Sequence, residues 1–174
     1  AAPAGIGKGA PMSQGESDDA GRAEALFHLG YRYQMSGELD LAIQAYSESI
    51  ELVPTAEAYT FRGWAYSFKG DLDRAIEDCR LAIEVDPEFG NPYNDIGAYL
   101  IERGDYERAI PWLHRALTAK RYANYHYARF NLGRAYLGQG LMKRAIAEFE
   151  QALELDGEYE PAIQALEVAR SKLN

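Results

Sequence analysis

Residues 26–54 read LFHLGYRYQMSGELDLAIQAYSESIELVP, and the chain returns to this stretch three more times in altered form. Its anchor is Gly30, which recurs as Gly63, Gly97 and Gly133 at spacings of 33, 34 and 36 residues. Three residues past each glycine stands a bulky apolar residue: Tyr33, Tyr66, Leu100, Tyr136. Seven past stands a second glycine (Gly37, Gly70, Gly104, Gly140), and twelve past an alanine (Ala42, Ala75, Ala109, Ala145). Sixteen past lie Tyr46, Cys79, Leu113 and Phe149. A period of this size means a stacked architecture, in which each unit buries its apolar face on its neighbours.

Within one unit the pattern predicts two helices. Leu26, Leu29, Gly30 and Tyr33 trace one helical face between Ala23 and Ser36. Gly37 stops that helix, because glycine takes the left-handed conformation of a helix C-cap without a Cβ penalty. Glu38 and Asp40 open the next helix, where the dipole favours negative charge. Ala42, Ala45, Tyr46, Ser49 and Ile50 form its inward stripe, with Gly30 and Ala42 small enough for the two helices to cross closely. Pro54 and Pro87 end the second helices of the first two units.

The pattern resembles the tetratricopeptide repeat, whose signature runs from an aromatic or leucine through Leu-Gly and Tyr to a later Ala, Phe and Pro. The first unit supplies Leu26, Leu29-Gly30, Tyr33, Ala42, Tyr46 and Pro54, and the likeness spans about residues 22–158. It implies an all-α fold, a right-handed superhelical solenoid of helix-turn-helix units at about 22–55, 56–89, 90–123 and 124–158. Residues 159–174 then form a capping helix, carrying Ile163, Leu166 and Leu173 without the glycine frame. Departures from the repeat are Arg62 and Arg129 at apolar positions, which calls for solvation or pairing, and Arg121 and Gly157 in place of the terminal proline. Two residues are added near Tyr122–Tyr125, a change expected to alter the tilt of the fourth unit, and Pro111 falls near the start of a second helix.

Composition bounds the function. No apolar run approaches the roughly 18 residues of a membrane span. The net charge of −9 argues against the phosphate attraction used by nucleic-acid binders. The interleaved basic and aromatic residues from Lys120 to Tyr127 are therefore read as a connection whose tyrosines pack on the next helix. One cysteine, Cys79, leaves no internal disulfide and suits a reducing compartment. Residues 1–21 are read as a flexible leader, 1–11 of them small residues with Gly and Pro ahead of Met12. With no apolar signal core visible, a cytoplasmic location is expected; a periplasmic one follows if Ala1 is a processed mature end.

In this family the first helices of successive units line a concave groove, and the resemblance implies the same here. The groove positions fall on Phe27, His28, Tyr31 and Met35, then Phe61, Trp64 and Phe68, then Asn91, Asn94, Asp95 and Ala98, then Tyr127, Phe130, Asn131 and Arg134. Phe61, Trp64 and Phe68 make a second apolar face on a helix whose core face is already used. Two readings stand: ordinary packing between neighbouring helices, or an exposed aromatic patch that marks a binding site. On the second, aromatics supply affinity while Asn94, Asp95, Asn131 and Arg134 bond the backbone of an extended peptide. One subclass of the family clamps the terminal carboxylate of chaperone tails. The corresponding places here hold Phe27, Tyr31, Phe61, Asn91 and Asp95, and Asp95 repels a carboxylate, so that use is not expected.

Charge is unevenly spread. Arg108 to Ala147 holds eight basic residues and no acidic one, whereas the rest holds ten basic against all 27 acidic. Solvated faces that simply vary would give such a run. So would a site for an acidic ligand anchored by Arg134, or a head-to-tail contact with another copy. Catalytic chemistry is not indicated. Cys79 falls on a core stripe, His28, His114 and His126 occupy unrelated places, and no phosphate loop or metal-ligand spacing occurs. The expected function is a non-enzymatic adaptor binding a peptide segment of another protein, without cofactor or metal; the alternative is a self-associating scaffold.

Overall fold

The structure, a computed structural model, describes residues 14–173. These residues form nine helices in chain order: α1 (Gln14–Met35), α2 (Leu39–Leu52), α3 (Ala56–Phe68), α4 (Leu72–Val85), α5 (Asn91–Glu102), α6 (Tyr106–Thr118), α7 (Tyr125–Gly138), α8 (Met142–Leu155) and α9 (Glu160–Ser171). Each odd-numbered helix from α1 to α7 packs on the helix that follows it, and each hairpin then packs on the next. The first helices α1, α3, α5 and α7 also touch in series, which lines up one face of the stack. Helix α9 covers the exposed side of α8, burying Ala162, Leu166 and Ala169. The result is an all-α solenoid of paired helices.

The two glycine series do different work. Gly37, Gly70, Gly104 and Gly140 all have positive φ, between 74° and 80°, and so terminate the first helices in the left-handed conformation. Gly30, Gly63, Gly97 and Gly133 sit where the second helix crosses. A Cβ there would fall 2.7 Å from Tyr46, 3.6 Å from the Cys79 sulfur, 2.4 Å from Leu113 and 2.3 Å from Phe149. These four neighbours are the residues sixteen positions further along each unit. In the first, third and fourth units a missing side chain on one helix thus receives a large one from the other; in the second, where the counterpart is the small Cys79, the backbone oxygen of Ala75 comes closest, at 3.0 Å.

Arg62 and Arg129 occupy apolar positions because each finds an acid across the hairpin. Arg62 donates to both carboxylate oxygens of Asp78 at 2.7 and 2.8 Å and to the Ser47 hydroxyl at 3.0 Å. Arg129 donates to Glu148 at 3.0 Å. Pro111 lies inside α6 without ending it.

One feature departs from expectation. Residues 14–21, expected to lack structure, form the first turns of α1; residues 1–13 lie outside the described residues. Glu16, Asp18 and Asp19 suit a helix start, and Ser49 donates to the carbonyl of Ala23 at 2.7 Å, holding this end of α1 on α2. The added residues between α6 and α7 form a connection whose Tyr122 packs on α7, as expected, and which also joins the α4–α5 connection. Arg121 pairs its backbone with the α4–α5 connection, donating to Glu88 at 2.9 Å and accepting from Gly90 at 3.0 Å. Its side chain reaches Asp86 and Glu57, and Tyr122 is buried against Tyr93, Ala116, Ala119 and Ala128. This connection consequently becomes one wall of the cleft described next.

Candidate functional site

Helices α1 and α3 present a run of aromatic rings. Phe27 meets Phe61 edge-on at 5.2 Å between centroids, and Tyr31 meets Phe61 at 5.9 Å. Phe61 meets Trp64 at 5.8 Å, and Trp64 meets Phe68 at 5.3 Å. Burial falls off along this run. Phe27 and Phe61 are partly buried on the core cluster of Ala42, Tyr46 and Ala65, whereas Tyr31 is 42% and Phe68 60% exposed. The base of the aromatic face is thus packed on the core, and its rim is exposed.

Helices α5 and α7 continue the same face with polar groups. Arg134 donates to the side-chain oxygen of Asn131 at 2.9 Å, Asn131 donates to that of Asn94 at 3.0 Å, and Asn94 donates to Asp95 at 3.2 Å. Asn94 and Asn131 are themselves buried, so these amides serve first to join α5 to α7. The guanidinium of Arg134 also lies 5.9 Å from the Phe130 ring centre. Burial raises the Asp95 carboxyl from 3.8 to about 7, with the Asn94 amide opposing part of that rise.

Between the aromatic and polar stretches lies a cavity of about 360 Å³, lined by Thr60, Phe61, Trp64, Asn91, Asn94, Asp95, Tyr122, Asn124 and Tyr127. It gathers residues from α3, α5, α7 and the α6–α7 connection. Of the groove residues expected from the sequence, Phe61, Trp64, Asn91, Asn94, Asp95 and Tyr127 meet here. Phe27, Tyr31 and Phe68 extend the aromatic face beside it. Phe130 sits further along, beneath Tyr159, whose ring stands edge-on at 5.3 Å and also reaches Tyr127 at 5.4 Å. The sequence reading missed Thr60, Tyr122, Asn124 and Tyr159. Tyr122 and Asn124 sit in the added connection, and Tyr159 precedes the capping helix, so none of these three falls in the repeat frame that located the others.

The chemistry of the remaining candidates is plain. Burial pushes the Cys79 thiol well above its ordinary value, which leaves it a poor nucleophile. His28 is exposed on α1, 3.8 Å from Glu24, and His126 lies 3.9 Å from Asp156. Among the described residues no group of three or more His, Cys, Asp or Glu is placed to hold a metal ion, and no helix is long and apolar enough to cross a membrane. Of the basic residues from Arg108 onward, Arg108, Arg121 and Arg129 pair with acids, while Arg115 and Arg144 lie over the rings of Tyr93 and Tyr136.

Residues 23–56, 56–89 and 88–158 each match the tetratricopeptide repeat. The chain belongs to the tetratricopeptide-repeat family. Its fold is similar to that of PilF of Pseudomonas aeruginosa, with a TM-score of 0.82 at 22% identity over 91% of this chain and 71% of that one. It is also similar to PilW, a type IV pilus biogenesis factor (TM-score 0.80, 20% identity, 86% of this chain and 69% of that one). A third relative in fold is YrrB, described as a tetratricopeptide protein with an unusual peptide-binding site (TM-score 0.66, 23% identity, 90% and 80% covered). At such identities the likeness carries the fold and not the ligand. No curated protein sequence is significantly similar to the chain. As a tetratricopeptide-repeat protein the chain is a protein-interaction scaffold.

Proposed function

We propose that this protein is a non-catalytic adaptor that holds an extended segment of a partner protein along the face formed by α1, α3, α5 and α7. The observation that carries this reading is the end of the aromatic run, the exposed Phe68 with the partly buried Trp64 behind it, beside a cavity whose far wall is polar. An extended peptide needs both surfaces. Apolar side chains fill the aromatic side, and backbone groups bond the remaining donors of Asn91, Asn94 and Asn124. Rings that pack on one another are already ordered, so binding to them sacrifices little side-chain freedom.

The test is retention of partner proteins from a lysate of the source cells by the protein and by its Trp64→Ala variant. A protein held by the first and released by the second supports the adaptor reading. Recovery of only the chain's own copies, equally with both, overturns it in favour of self-association.

A further inference from the structure

Asp95 is an acid without a cation. It lies in the wall of the 360 Å³ cavity, and its hydrogen-bond partner there is the neutral amide of Asn94. The basic groups on neighbouring elements are engaged elsewhere. Arg62 is held by Asp78, Arg121 by Glu57 and Asp86, Arg129 by Glu148, and Arg134 is bonded to Asn131. Four aromatic rings, Phe61, Trp64, Tyr122 and Tyr127, share the wall with the neutral side chains of Thr60, Asn91, Asn94 and Asn124. A desolvated carboxylate is costly unless a cation reaches it, and aromatic faces attract cations through the ring quadrupole. The volume is near the lower end of the about 300–1,000 Å³ typical of ligand pockets, suited to a side chain rather than a length of backbone.

We propose that this cavity receives a lysine side chain of the bound segment, with its ammonium group on the Asp95 carboxylate and its methylene stem between Trp64, Phe61 and Tyr127. The inference rests on the adaptor reading and gives it a partner chemistry: a basic residue set in an otherwise apolar extended stretch. Charge complementarity is the ground for this occupant, since the chain supplies the acid and the aromatic walls and lacks the cation. Arg134, the expected anchor for an acidic ligand, is bonded to Asn131 and lies over Phe130, leaving Asp95 as the charge presented to the cavity.

The probe is a set of blocked pentapeptides, alanine at all positions but the centre, where lysine, norleucine or glutamate stands. Binding is followed on the indole N–H resonance of Trp64. The lysine peptide is expected to bind about tenfold more tightly than the norleucine peptide, and Asp95→Asn is expected to abolish that preference while leaving norleucine binding unchanged. The preference also fades as pH falls below about 7, because Asp95 then takes up a proton. The ionisable groups facing Asp95 are Tyr99 on its own helix, Cys79 on α4, and Tyr122 and Tyr127 across the cavity; α3 contributes only Thr60, Phe61 and Trp64. Phenols and thiols gain no charge on acidification, but His126, 4.1 Å from Tyr127 between ring centroids, does, so the fading is read in a His126→Gln background, where it reports Asp95.

Equal binding of the lysine and norleucine peptides, or tighter binding of the glutamate peptide, overturns the lysine assignment and leaves the adaptor reading standing. An unblocked norleucine peptide that matches the lysine one transfers the site to a chain terminus and likewise overturns it. Dimerisation that disappears in Asp95→Asn hands the cavity to a second copy and overturns both readings.

Discussion

Replacing Asp95 by asparagine keeps the shape of the side chain and removes its charge. Its carboxyl titrates near 7 in the folded protein, raised from 3.8 by burial. Between these two values the folded chain holds a proton that the unfolded chain has lost, so stability falls as pH rises through that window and levels off above it. At about 1.4 kcal/mol per pKa unit the full displacement is worth about 4 kcal/mol. Asp95 borders an open cavity, and water there screens part of this, so about 2 kcal/mol is the expected effect. Asp95→Asn should therefore match the unmodified protein near pH 4 and exceed its stability by about 2 kcal/mol near pH 8. Because stacked repeats can unfold in part, the readout is amide exchange of α5 alongside urea denaturation. A difference that does not change with pH, or a variant less stable near pH 8, refutes the reasoning. Either result means that burial does not disfavour the charged form of Asp95 in the free protein.

Three further outcomes follow from the packing. Asp78→Ala leaves the Arg62 guanidinium buried without its bidentate partner and should cost about 3–5 kcal/mol in urea unfolding, whereas replacing both residues by apolar ones should cost less. Gly133→Ala forces a methyl group to within 2.3 Å of Phe149 and should cost about 1–3 kcal/mol; the solvent-facing Gly15→Ala, with nothing in reach, should not destabilise the fold. Trp64→Ala removes a partly buried ring that packs between Phe61 and the exposed Phe68 and lies outside the core clusters, so helical content and melting temperature should stay almost unchanged in circular dichroism while binding weakens. A large loss of stability would show Trp64 to be core.

The fold was legible because its signals are local and repeated. Gly30, Gly63, Gly97 and Gly133 mark the crossings, and Gly37, Gly70, Gly104 and Gly140 mark the helix ends through their positive φ. The aromatic half of the groove was legible for the same reason, since Phe61, Trp64 and Phe68 fall at helical spacing on one face. The polar half was legible only as a set of residue types. That Asn131 bonds Asn94 across 37 residues depends on how α7 is rotated against α5, which the repeat period does not specify. The wall made by Tyr122 and Asn124 depends on the α6–α7 connection joining the α4–α5 connection through Arg121, Glu88 and Gly90, a contact outside the repeat frame. Arg62 could be read as needing a partner, but the choice of Asp78 is set by the crossing of α3 over α4.

The measurement that bears most directly on the central claim is photo-crosslinking in the source cells from single sites on the two faces. A benzophenone amino acid at Phe68, 60% exposed at the end of the aromatic run, is compared with one at Glu77, exposed on α4. The account predicts that position 68 captures a discrete segment of another protein, and that this capture disappears when Asp95→Asn and Trp64→Ala are combined, while position 77 captures nothing specific. Capture of the same partner from position 77 alone, or of only the chain's own peptides from position 68, would contradict it.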